Sequence, residues 1–157
     1  MPEAEILAKL DVAPARRWVA IFVIAGLSIL MIALAAEPST KLTSKLIFAM
    51  VGALVGWGAL RLHAATRHSV ILTETELVTT SGEVLCQVED IIRVERGAFA
   101  FKPSGGFTLK LARKAPAGWA PGLWWKFKRT VGIGGVTNAG AAKAMADIIL
   151  VKISERS

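Results

Sequence analysis

A membrane α-helical hairpin followed by a small, mainly-β domain closed by a C-terminal α-helix is the fold class the sequence predicts, on three observations. Two long apolar runs lie near the N-terminus, short β-rich segments separated by turn residues follow them, and an alanine-rich segment with helical spacing comes last. Of the 157 residues, the hairpin and its flanks take about the first 67, and the remaining 90 suffice for one small core but not two.

The first run, Trp18 to Ala36 (WVAIFVIAGLSILMIALAA), has no ionisable side chain in nineteen residues. At about 1.5 Å of rise per residue it reaches roughly 28 Å, close to the ~30 Å hydrocarbon thickness of a bilayer. A second span is expected over residues 46–65, opening with Leu46 to Leu60 (LIFAMVGALVGWGAL), and residues 37–45 can only turn the chain back. A secretory signal would also place Arg16 and Arg17 before an apolar run, with cleavage near Ala33-Leu34-Ala35. Its apolar region would be shorter, however, and three acidic residues precede this one. The expectation is therefore a retained span, and the arginine pair is too little for a twin-arginine signal.

Residues 1–17 carry Ile6, Leu7 and Leu10 at helical spacing among Glu3, Glu5 and Lys9. A surface-lying amphipathic helix and a frayed tail are both open for this stretch, with Pro14 separating it from the span. Lys41 and Lys45 are the only charges of their sign in the link, against Lys9, Arg16, Arg17, Arg61 and Arg67 plus a basic domain on the other side. The positive-inside rule then puts both termini in the cytoplasm. Gly52 and Gly56 form a GxxxG, extended by Ala49 and Gly58, which packs the second helix on the first or presents a face to another helix. Neither span carries Asp, Glu, Lys or Arg at depth, so a transporter or channel is not expected. His63 and His68 are five apart, the wrong spacing for a shared helical face, and read with Arg67 as solvated interfacial residues.

Residues 68–157 open with β signals. Val70 to Thr73, Leu77 to Thr79, Val84 to Val88 and Ile91 to Val94 are short β-rich runs, with Ser81-Gly82 as a tight turn. Ala98 to Phe101, the alternating Phe107-Thr108-Leu109-Lys110-Leu111, Leu123 to Phe127 and Val131 to Ile133 continue the series, which argues for a small antiparallel barrel or sandwich. The closing helix is expected over residues 139–153, capped by Thr137 or Asn138, with Met145, Ile148, Ile149 and Ile153 as its buried stripe. It would plug one end of the barrel or cover one sheet.

The pattern LTETELVTTSGEVLCQVEDIIRVERG, then GFTLKL, the glycine-rich VGIGGVT and a terminal helix, all after two spans, resembles bacterial PH-like domains attached to membrane hairpins. Glu89-Asp90-Ile91-Ile92-Arg93-Val94 is similar to the acidic-Ile-x-x-Val strand of such domains, and AFAFKPSGGF and WAPGLWW are similar to stretches of two-span proteins of alphaproteobacteria. The resemblance implies a PH-like barrel at the bacterial cytoplasmic (inner) membrane. It brings a fold without a catalytic residue set, since such domains are generally binding and scaffolding modules.

Function is sought in residues 96–146, which hold nine basic residues and no acidic one, within a chain of net charge +7. Trp119, Trp124 and Trp125 interleave there with Lys126, Lys128 and Arg129, and Arg113 and Lys114 lie just before. Tryptophan prefers the headgroup level and cations favour an anionic leaflet, so this stretch could meet membrane or partner. The alternative is that the tryptophans fill the core and the cations solvate its surface. Nucleic-acid binding would use the same ingredients, but no recognition motif is present. Gly132-x-Gly134-Gly135 before a helix lacks the Walker GxxxxGK, the single Cys86 has no histidine near it in sequence, and Ser104 has no nameable partner. No cofactor, metal, catalytic residue or small-molecule substrate is expected. The expected function is a non-enzymatic, membrane-anchored binding module, an accessory or assembly factor of a larger inner-membrane complex. Its alternative is a module for anionic-lipid headgroups at the inner leaflet.

Overall fold

The computed structural model describes residues 5–96 and 105–157. Two long helices pack side by side, α1 over Pro14–Ala36 and α2 over Leu42–Ala65. Each starts four residues before the expected span. Pro14 sits at the first helical position, where its missing N–H costs nothing, and Ala13 before it is extended. At 23 and 24 residues, both helices are long and apolar enough to cross a bilayer.

The polarity of this pair is inverted relative to a water-soluble hairpin. Ser28 is the single buried residue of α1, and Gly52, Ala59 and Leu62 are those of α2. Phe22, Ile29, Met50, Leu54 and Leu60 stand outward, more than three-fifths exposed. Small residues set the contact: a Cβ on Gly52 would meet Ile32 Cγ1 at 2.9 Å, and one on Gly56 would meet Ser28 Oγ at 2.8 Å. The Ser28 hydroxyl donates to the Gly52 carbonyl at 2.8 Å in the space this leaves. The GxxxG therefore faces α1, and the second reading of it as a face for another helix is not needed.

Among its described residues, the N-terminal stretch is neither an amphipathic helix nor a frayed tail. Ile6–Leu10 forms strand β1, antiparallel to β2 (Val70–Thr73), with Leu10 opposite Val70 and both fully buried. Five residues are too few for an independent helix, whereas an adjacent strand satisfies their backbone. Because α2 returns beside α1, the chain entering the hairpin and the chain leaving it are already neighbours running in opposite directions. The hairpin is thus inserted between the first two strands of one domain, and the domain does not begin at residue 68.

Two antiparallel sheets follow. β1 and β2 are joined by β3 (Glu76–Thr79) and β4 (Val84–Gln87) in the order β1-β2-β3-β4. A 3-10 turn over Val88–Asp90 carries the chain round a corner to the second sheet. That sheet comprises β5 (Ile91–Glu95), β6 (Phe107–Leu111), β7 (Gly118–Ala120), β8 (Trp124–Phe127) and β9 (Thr130–Ile133), ordered β5-β6-β9-β8-β7. The prolines flanking β7 read as loop in the sequence, and the expected strand Ala98 to Phe101 lies outside the described residues. One corner is stitched where Val12 bridges Thr137 and the Ala13 N–H donates to the Val136 carbonyl at 2.8 Å.

The expected closed barrel does not form among the described residues. β7 is three residues long between Pro116 and Pro121, which cannot donate to a ladder, so pairing stops there. Helix α3 (Ala139–Arg156) lies against β1 and β5, an edge strand of each sheet. Ala142, Met145, Ala146 and Ile149 enter the core beside Leu10, Phe107 and Leu109, while Ile148 and Ile153 are partly buried. Asn138 caps α3, its side chain accepting from the Gly140 and Ala141 N–H groups at 2.9 and 3.1 Å.

Candidate functional site: the tryptophan-rich sheet and the hairpin end

The tryptophan-rich stretch is strand, and strand alternation divides its residues between two environments. On β8, Trp124 and Lys126 point inward and are buried, whereas Trp125 is half-buried and Phe127 exposed on the outer face. Lys126 is therefore not a surface cation. Its ammonium donates to Glu83 at 2.7 Å and to the Val84 carbonyl at 3.2 Å, and lies 5.1 Å from the centre of the Trp124 ring. The lysine links β8 to the start of β4 across the unclosed seam. For Trp124 the core alternative of the sequence holds, whereas Lys126, buried and paired, fits neither the contact reading nor the solvated one.

The outer face carries an aromatic shelf. Trp119 on β7 stands directly opposite Trp125, and Trp125 opposite Gly132 on β9. The Trp125 indole lies on Gly132, where any Cβ would overlap the ring. Glycine in this strand is therefore a seat for tryptophan rather than part of a phosphate loop. Trp119 and Phe127 are 56% and 58% exposed, so the shelf is open to a partner.

The basic residues gather at one end of this sheet. The Ala115 N–H donates to the Lys128 carbonyl and the Leu111 N–H to the Arg129 carbonyl, both at 2.8 Å, which sets Arg113 and Lys114 beside the β8–β9 turn. Lys128, with φ of 54°, holds that turn, and its ammonium lies 5.3 Å from the Phe127 ring centre. Arg113 is engaged by Asp90 at 2.6 Å and Glu89 at 2.8 Å, and the Asp90 contact foremost raises its pKa above the ordinary guanidinium value.

The other end of the sheet meets the hairpin. The β7–β8 turn at Gly122 lies against Leu62 of α2 and Thr66 just past its end, and Gly105 lies against Arg16 at the start of α1. β8 runs four residues away from this contact, about 13 Å of strand, before reaching Lys128. Trp119 is thus beside the hairpin, and the basic turn is remote from it. The cations at the hairpin end are instead Arg16, Arg17, Arg61 and Arg67. Arg17 donates to His63 Nδ1 at 3.3 Å and stacks on Trp18, and Arg61 lies 5.3 Å from the Trp57 ring centre. Sequence reasoning finds these side chains but assigns the binding role to the stretch after residue 96. Arg17 lies next to His63 only because the helices are antiparallel, a signal available in the spacing of the two runs.

Burial foremost, with Asp90 adding to it, pushes the Cys86 thiol up to about 12, so it stays protonated at neutral pH and offers no thiolate. Gly134 and Gly135, with φ of 137° and 124°, turn the chain tightly against Gly122. Beyond that turn the Asn138 side chain takes the Gly140 and Ala141 N–H donors of α3, and no group of three His, Cys, Asp or Glu residues could hold a metal among the described residues. Ser104 and Lys102 lie outside the described residues. Comparison with protein-family models, curated proteins and solved structures gives no match.

Proposed function

We propose that this chain is a non-enzymatic binding module anchored in the bacterial cytoplasmic membrane by the α1–α2 hairpin, with both termini and the whole β domain on the cytoplasmic side. Its outward apolar faces and inward Ser28, Gly52 and Gly56 suit a hydrocarbon solvent, since water would not tolerate that polarity. The two sheets and α3 support a PH-like reading of the domain, in an open rather than closed form.

The module docks a larger inner-membrane protein complex as an accessory or assembly factor. The observation that carries this is the aromatic shelf of Trp119, Trp125 and Phe127, exposed on a strand pair braced against α2. Tryptophan on a rigid element is the usual anchor of a protein interface, and an exposed cluster of large aromatics beside a membrane is costly without a partner. The test compares tagged full-length protein with the double variant Trp119→Ala/Phe127→Ala, purified in mild detergent from the native host. A stoichiometric complex that accompanies the first and is lost from the second is expected. If both purify alone, the docking role is wrong.

A second reading, recognition of anionic lipid headgroups, is favoured by the arginines at the hairpin end. It is not favoured by Lys128 and Arg129, which sit on the far turn.

A further inference from the structure

Where the hairpin joins the domain there is a cavity of about 180 Å³ whose walls include Asp11, Arg17, Trp18, Arg67, His68 and Ser69. Two guanidinium groups line it with donors to spare. Arg17 gives one hydrogen bond, to His63, while its Nε is fully buried without any partner. The Arg67 side chain is exposed and has no hydrogen-bond or ion-pair partner among the described residues. The one carboxylate in the wall is already engaged: Asp11 accepts from the Ser69 hydroxyl at 2.6 Å and pairs with Lys9 at 3.2 Å. That Ser69 hydrogen bond, the largest effect, holds the Asp11 carboxyl below its usual range, so the residue remains an acceptor bound to its own neighbours. The cavity is left with two unneutralised arginines, a histidine and the first turn of α1, which has neither a capping side chain nor an acid.

We infer that this cavity binds a phosphate group, presented as the headgroup of a phospholipid in the leaflet facing the domain. Arginine forks match phosphate oxygens, and the Nη groups of Arg17 and Arg67 that have no carboxylate partner are the donors such oxygens would engage. The headgroup source follows from position. Trp18 forms one wall, and the exposed apolar faces of α1 begin at Val19, so a phosphate held here has its acyl chains alongside the hairpin. His68 lies at the same opening, its Nδ1 3.5 Å from Thr80 Oγ1. The Lys128 and Arg129 turn has no part in the site.

The inference rests on the hairpin crossing the bilayer, so the experiment first asks whether the full-length protein floats with membranes after carbonate extraction. Failure there removes the anchoring itself, an outcome distinct from a loss of lipid binding by protein that is still anchored. Protein in nanodiscs of phosphatidylglycerol and phosphatidylcholine is then released into native mass spectrometry, and retained lipid is counted. Retention of phosphatidylglycerol is expected to fall about tenfold in Arg67→Gln and in Arg17→Gln, the effect of losing one charge-assisted hydrogen bond. Lys128→Gln/Arg129→Gln should leave retention unchanged. Arg67 is exposed, so its variant should fold even where the Arg17 variant does not. Equal retention by wild type and Arg67→Gln overturns the site. Millimolar inorganic phosphate should not displace the lipid, and displacement would overturn the headgroup assignment in favour of a free-anion site.

Discussion

Lys126 brings a positive charge to within 5% of full burial, and it is tolerated because Glu83 and the Val84 carbonyl meet its ammonium there. A buried ammonium without such partners would be strongly destabilising. Glu83 is half-exposed and can turn to water if the lysine is removed, so the loss should be moderate. Lys126→Ala is expected to lower stability by about 1–3 kcal/mol, mainly through lost packing on Trp124 and an unsatisfied carbonyl. Lys128→Ala, two residues on but in solvent, should change it by no more than about 0.5 kcal/mol. Thermal melts of the full-length protein in detergent distinguish the two, and equal effects would mean that Lys126 is not interior. The run of basic residues after Arg96 reads in the sequence as one surface, free to meet membrane, partner or water, because their counter-charges are distant along the chain. Glu83 serves Lys126, Glu89 and Asp90 serve Arg113, and Asp147 serves Arg96. The roles of the adjacent tryptophans are nearer to hand, since period-two alternation alone puts Trp124 and Trp125 on opposite faces once the stretch is taken as strand.

At the scale of elements, the hairpin is held by close backbone approach. Gly52 has Ile32 Cγ1 and the Ile32 backbone nitrogen within 2.9 and 3.3 Å of where a Cβ would be, whereas Gly58 has nothing within 4 Å. Gly52→Leu is expected to loosen α1 from α2 at a cost of about 1–3 kcal/mol, while Gly58→Leu should be nearly neutral. Denaturation in mixed micelles, followed by helicity, reads the difference, and a matching effect at Gly58 would place the packing face elsewhere. Both helices are legible in the sequence because runs of nineteen and fifteen residues without an ionisable side chain carry their own signal. β2 to β5 are legible for the same local reason, short β-rich runs punctuated by turns. β1 is not, because ILAKL matches a helical spacing as well as a strand, and the pairing of Leu10 with Val70 that decides between them lies across the whole hairpin. β7 is hidden by Pro116 and Pro121, which read as loop and which in the fold end the sheet. A closed barrel is the natural expectation from such a run of strands, and the short β7 edge together with α3 across the opposite edges explains why two open sheets form instead.

For the whole molecule, the inserted hairpin has a mechanical consequence. Two short connections, residues 11–13 and 66–69, tie the β domain to the helices, and Gly122 and Gly105 rest on their ends. A domain tied at two points is held in one orientation, which keeps the Trp119 shelf beside the hairpin and the Lys128 turn away from it. Any partner docked on the shelf would therefore be held next to the bilayer. In the topology proposed above, the hairpin crosses the cytoplasmic membrane with the entire β domain inside. Cysteine accessibility in intact cells tests it most directly, because buried Cys86, its thiol pushed up to about 12, gives little background labelling. A membrane-impermeant maleimide is applied to Ser39→Cys, in the turn between the helices, and to Lys128→Cys, on the far turn of the domain. Labelling of position 39 in intact cells, and of position 128 only after permeabilisation, is the expected result. Labelling of position 128 from outside, or of neither position until the cells are opened, would contradict it.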